Sequence, residues 1–174
     1  MKMLEYLYNN FYDKRFHHNK RKYIVQCFLA TIIIFLVLMT LNLVSSDLVI
    51  ASIASSAFVV FSMPHKVRSR SRYIIGGYCV GLFVGLVTYS FSLLFAENYP
   101  LLQHFRDEIF GALAVGGSIF LMVILDVEHP PAAAVALAMV INQWNQWTII
   151  VTIVAVSLLV LARYFFRDKL INLL

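Results

Sequence analysis

Charged side chains are scarce in this chain, 13% of 174 residues against 61% apolar. A soluble fold of that composition runs out of polar groups to cover its surface, so a water-exposed globular domain is excluded and lipid is the expected solvent. Cysteine is nearly absent. Cys27 and Cys79 both fall inside apolar runs, with no metal-like spacing and no histidine beside them, and read as small core residues. Catalytic signatures are missing too: there is no GxSxG, no HExxH, no Walker loop and no histidine pair at i, i+4, so neither an enzyme nor a cofactor is expected. Asp126, Glu128 and His129 are neighbours on one turn, an arrangement that seldom converges on one ion, and no metal site is expected there. A chain of 174 residues that mostly spans a bilayer leaves no length for a separate soluble module.

What charge there is has a pattern. The net charge is +5, but the basic residues sit beside apolar runs instead of on a polar domain. Anionic lipid headgroups are therefore the expected counter-charge, and nucleic acid is not an expected partner. The first apolar run is too long for the h-region of a signal peptide and no small-x-small cleavage site follows it, so it reads as a retained anchor. Glu5 and Asp13 in the stretch before it argue against an organelle transit peptide.

Crossing a hydrocarbon layer of about 30 Å takes about 20 helical residues. Tyr23 to Val44, Tyr73 to Ala96, Glu108 to Leu125 and Thr148 to Phe166 meet or approach that length. Between them lie two shorter runs, Leu48 to Met63 and His129 to Ile141, which as helices reach only about 24 Å and about 20 Å. The fold expected is an all-α membrane protein with about six transmembrane segments, two of them short. If all six cross and the amino end is cytoplasmic, every lysine and arginine except Arg106 lies inside, as the positive-inside rule prefers. A re-entrant second run would instead put Lys66, Arg68, Arg70 and Arg72 outside. The expected layout is thus a basic cytoplasmic segment over residues 1–22, a single transmembrane domain over 23–166 and a cytoplasmic tail over 167–174, in the inner (cytoplasmic) membrane. Leu4, Leu7, Tyr8 and Phe11 give the first segment an amphipathic helical spacing, a polar tail with aromatic anchors being the other reading.

The order long, short, long occurs twice, divided by the charged loop Glu97 to Asp107. Three crossings per half is odd, so the halves run in opposite directions, as in a 3+3 inverted-topology repeat whose site lies near the midplane. This rests on lengths, and chance is its competitor.

Glycines recur every fourth residue in the third run, at Gly77, Gly81 and Gly85, and Gly116 and Gly117 lie in the fourth. Both sets read first as helix-packing faces, where backbones approach closely, ahead of any substrate role. The junction Asp126 to Ala134 is the most informative stretch. Proline is tolerated in a first helical turn, so a fifth helix should start at Pro130, with His129 held extended by pre-proline sterics. Asp126 and Glu128 beside that start suit its positive dipole end. A helix starting within the membrane offers an anion that same end where water is scarce. Two prolines remove two amide donors, leaving those of His129 and Ala132, and the histidine can supply a further donor and carry a proton. The competing reading is a capping histidine at the water interface. Ser45, Ser46 and Asp47 give the other short run good N-cap chemistry, and Ser52, Ser55 and Ser56 either line a polar path or bond back to their own helix.

At this junction the chain resembles the HPP family of small integral membrane proteins, named for the tripeptide His129-Pro130-Pro131. The surroundings agree: a helix bearing Leu121-Met122 precedes it, Ala132 to Ala134 follow, and Pro64 leads into the Gly76-Gly77 helix start. Tyr78 stands where many members have histidine, so a second intramembrane histidine is missing here. The resemblance covers Tyr23 to Phe166. The family is described as four-span transporters, with nitrite transport attributed to some photosynthetic members, and the resemblance implies passage of nitrite or a similar small anion. The candidate substrate-binding residues are therefore His129, Pro130, Pro131, Ala132, Ser45, Ser46, Ser52 and Ser55. A chain this small lines only a narrow path, which makes a homo-oligomer the expected assembly. A non-transporting scaffold or regulatory module assembling with a partner protein is the alternative function.

Overall fold

Residues 14–41, 47–96, 99, 103–142 and 145–173 are described by a computed structural model. Among them run α1 (Lys14–Leu41), α2 (Asp47–Ser62), α3 (Ser71–Ala96), α4 (Arg106–Ile124), α5 (Pro130–Ile141) and α6 (Gln146–Phe166), with single 3-10 turns at Val67–Ser69 and Arg167–Lys169 and no strand. Four helices are long and apolar enough to cross a membrane, and α2 and α5 are the two short apolar ones. Helix α1 starts earlier than the apolar pattern predicts because a polar turn continues into it across non-helical Asn19 (φ −126°, ψ 23°). Its apolar part is His18–Met39. The amphipathic spacing at Leu4 to Phe11 lies outside the described residues.

The surface identifies the solvent. Phe28 and Phe120 are 66% and 67% exposed, and Phe35, Phe83, Ile150 and Phe165 are likewise exposed, while Ser52, Ser56, Thr152 and His129 are buried. Apolar side chains outside and polar ones inside is the distribution lipid selects. It also corrects the expectation for Cys27 and Cys79, which are exposed and not core. A thiol is a small, weakly polar group, so a lipid-facing position costs it little.

Side-chain contacts fix the helix directions. Gln26, in the amino-terminal half of α1, donates to the Phe61 carbonyl at the end of α2 and to the Ile171 carbonyl beyond α6. Arg72 at the start of α3 pairs with Asp126 beyond the end of α4 (3.3 Å), and Ser92 near the end of α3 accepts from Arg106 at the start of α4 (3.1 Å). Consecutive helices therefore alternate in direction. Lys20 to Lys22, Lys66 to Arg72 and Arg163 to Lys169 gather at one end of the bundle, and Arg106 is the one described cation at the other.

Closing that basic end is a polar clip. Gln26, 3% exposed, also accepts through Oε1 from the Ile171 amide (3.0 Å), and the Leu173 amide donates to the Ser62 carbonyl (2.8 Å). Residues 170–173 are thereby held against the bundle. Replacing Gln26 with leucine orphans three backbone groups, two carbonyls and an amide. At about 1–3 kcal/mol for each polar group left unsatisfied, the detergent-solubilised variant is expected to melt well below wild type while keeping its helical content by circular dichroism.

Helix α4 ends in a Schellman turn: the Val127 amide donates to Met122 (3.0 Å) and the Asp126 amide to Val123 (3.2 Å), with Asp126 at φ 51°. That turn sends the chain inward to α5. Val127 packs on Gly76 and His129 on Gly77. Gly77 is six residues into α3, so α5 begins about 9 Å below the basic end of α3, measured at 1.5 Å per residue. From there α5 runs parallel to α3, with Ala132 on Gly81 and Met139 and Ala136 on Gly85. Its 12 residues span about 18 Å, so its far end also stops well short of Ala96.

The glycine face expected in α3 is the seat of α5. A Cβ on Gly77 would lie 2.5 Å from His129 Cβ, one on Gly85 2.7 Å from Met139 Cβ, and one on Gly81 would overlap the Ala132 carbonyl oxygen. Gly117 meets Val84 on α3 at 3.3 Å, whereas Gly116 faces open space and packs against nothing, contrary to its expected role.

Among the described residues the helix pairs in substantial contact are α1·α2, α1·α6, α2·α5, α2·α6, α3·α4, α3·α5, α3·α6 and α4·α5. Exchanging α1 with α4, α2 with α5 and α3 with α6 returns the same set.

Candidate functional site

Around the break before α5 lies a buried polar chain. Ser52 and Ser56 project from one face of α2, Tyr78 from α3, and His129 stands immediately before α5; all four are at most 2% exposed. Ser52 Oγ lies 2.6 Å from the Pro131 carbonyl oxygen and 2.9 Å from Tyr78 Oη; Ser56 Oγ lies 2.8 Å from both Tyr78 Oη and His129 Nε2.

Proton counting fixes the direction of these bonds. The Pro131 carbonyl has no hydrogen, so Ser52 donates to it. Each hydroxyl has a single proton to donate, so Tyr78 must donate to Ser52, Ser56 to Tyr78 and His129 Nε2–H to Ser56. The imidazole therefore carries its proton on Nε2. The chain ends on an amide carbonyl that cannot pass a proton on, which makes it a clamp on ring orientation and tautomer and not a conducting wire. Nδ1 is buried and makes no hydrogen bond, although the Arg68 backbone is close to the ring. It is the ring nitrogen that no side chain engages.

A cavity of about 810 Å³ runs between α2 and α5, bordered at the basic end by Lys66 and Arg68 and deeper by Ser52, Ser55, His129, Pro130 and Pro131. Leu48, Ala51, Val59 and Ala134 make the rest of its wall largely apolar. A smaller cavity of about 300 Å³ reaches His129, Pro130 and Glu128 from the α4 side, past Ile119, Met122 and Val123. The imidazole sits where both approach.

Of the residues expected to bind substrate, His129, Pro130, Pro131, Ser52 and Ser55 border the larger cavity, with Ser55 exposed and Ser52 turned into the clamp. Ala132 departs from expectation. It is fully buried under Gly81, and its amide donates to the His129 carbonyl (2.9 Å), so it offers no free donor to an anion. A first-turn i to i+3 bond has consumed it. His129 is not an interfacial cap either, since its side chain makes no capping bond and is 0% exposed. Asp126 and Glu128 spend their charge on Arg72 (3.3 Å) and Arg68 (3.0 Å) instead of on the α5 dipole. Ser45 and Ser46 lie outside the described residues. Tyr78, central to the clamp, was not singled out as a site residue; the signal available was its place directly after the Gly76-Gly77 pair.

Comparison with known proteins adds the following. The profile of the HPP transmembrane region matches residues 16–167. A Dictyostelium discoideum protein described as a transmembrane protein is 31% identical over 101 residues, 58% of this chain and 33% of that protein. The chain thus spans about a third of that relative's length. No solved structure matches.

Proposed function

Because the chain belongs to the HPP transmembrane family, we propose that this multi-pass membrane protein carries a small inorganic anion, of the size and charge of nitrite, past His129. It acts as a carrier and not as an enzyme. The observation that supports this most is the unpartnered Nδ1 of a fully buried histidine at a helix start recessed into the bundle, beside a cavity bordered by Lys66 and Arg68. The basic rim draws an anion in and the α5 dipole favours negative charge at its tip.

The clamp dictates what happens next. Nε2–H is committed to Ser56, so the ring can donate to an anion only from Nδ1, and only when a proton has arrived there. Anion and proton meet as a neutral pair, which removes most of the cost of holding a lone charge in a water-poor site. The groups facing the ring are Tyr78 from α3, Ser56 from α2, the Arg68 backbone in the loop and Glu128 in the junction. Transport is accordingly proton-coupled.

The closed set of helix contacts supports a 3+3 inverted repeat, the layout that lets alternating access work by rocking one half against the other. The gathering of cations at one end supports cytoplasmic termini in an inner membrane. One protomer walls the large cavity on two helices only, so a second copy closing it in a homo-oligomer fits the geometry. Nitrite uptake into proteoliposomes tests the proposal: flux is expected to rise as the donor side is acidified and to outpace nitrate and chloride. A chain that supports no flux of these anions at any pH gradient is instead a scaffold or regulatory module.

A further inference from the structure

A second cavity at the basic end, of about 410 Å³, is lined by His65, Arg70, Ser71, Arg163 and Arg167. It shares no residue with the groove at His129. In the α2–α3 loop Arg68 and Arg72 are paired with Glu128 and Asp126, but Arg70 between them has no ion pair among the described residues and borders this cavity. Arg163 reaches it from α6 and is only 6% exposed. Its Nη2 donates to the Pro64 carbonyl (3.0 Å), while Nε is buried with no partner. Among the described residues one carboxylate reaches the three guanidinium groups, Asp168 at 3.5 Å from Arg167 Nε. Ser71 opens α3, so the positive end of a 26-residue helix borders the same space. His65 donates Nε2–H to the Leu170 carbonyl (2.9 Å), which fixes the ring at the rim.

Three like charges, one of them almost wholly buried, repel one another and keep unfilled donors unless an anion joins them. The forked guanidinium donors match an acceptor with several oxygens, which a monatomic ion cannot supply. We propose that this cleft binds a phosphate group, carried either by an anionic phospholipid headgroup or by free phosphate. The site stands at the end of the bundle where headgroups would lie, and it does not depend on the transport reading.

The full chain in neutral detergent, melted against inorganic phosphate and against potassium chloride at matched ionic strength, tests the free anion. Nanodiscs of phosphatidylcholine with and without phosphatidic acid test the headgroup. A saturable stabilisation by phosphate beyond that of chloride assigns a free oxyanion, and one confined to phosphatidic acid assigns a lipid. Arg70→Gln with Arg167→Gln, both exposed and outside the core, is expected to weaken the response about tenfold or more. Arg21→Gln with Lys22→Gln removes the same charge elsewhere at the basic end and is expected to leave it intact. No saturable response in either arm, a response unchanged in the Arg70 and Arg167 variant, or an equal loss in the Arg21 and Lys22 variant overturns the proposal.

Discussion

Replacing His129 with glutamine is expected to reduce nitrite flux into proteoliposomes about a hundredfold, the scale set by losing one positioned proton donor, while leaving the protein folded. The substitution separates the two jobs of the imidazole. The amide nitrogen of glutamine reaches roughly where Nε2 stands and can donate to Ser56, so the clamp through Tyr78 and Ser52 to the Pro131 carbonyl survives. Nothing then occupies the position of Nδ1. The acid stimulation of flux should disappear together with the flux itself. His129→Ala is a poorer probe, because it also orphans the Ser56 end of a buried chain and costs about 1–3 kcal/mol of stability. Wild-type flux in the glutamine variant removes the ring from the mechanism, whatever the substrate.

Gly81→Val is expected to prevent accumulation of folded protein. A Cβ there runs into the Ala132 backbone carbonyl, and that atom belongs to the first turn of α5 and cannot swing away as a flexible side-chain end can. Ala132 and Val135 are fully buried, so α5 has no room to retreat. Overpacking of a core typically costs 1–3 kcal/mol, and a rigid backbone wall puts this case at about 3 kcal/mol or more. Gly116→Val is the matched control. Among the described residues no atom beyond its own stretch of helix lies within 4 Å of the position its Cβ would take, so it should accumulate and melt like wild type. Size-exclusion profiles and melting of the two variants side by side decide the matter, and equal behaviour would contradict the α3–α5 packing.

The six segments were legible because hydropathy and charge report lipid contact directly, and Pro130 and Pro131 mark the start of α5 whatever surrounds it. Partnership between helices was less so. Spacing showed that Gly77, Gly81 and Gly85 share a face, but Gly116 and Gly117 differ only by which way each points, which sequence alone does not reveal. Tyr78 is marked in the sequence only by standing after Gly76-Gly77 where many members have histidine, and its meaning depends on Ser52, Ser56 and His129, brought to it from two other helices. Cys27 and Cys79 were assigned by a rule for proteins in water, where apolar means inside; in lipid that rule inverts. Arg163 looked like an ordinary cation at a helix end, and only the fold shows its guanidinium turned to the Pro64 carbonyl.

The recessed position of α5 bears on how the chain is made. Twelve residues starting with two prolines are too few to be handed into a bilayer as an independent stop-transfer unit. This segment has to leave the translocon as the tip of a hairpin with α4 or α6, sheltered from lipid on the glycines of α3 that were synthesised before it.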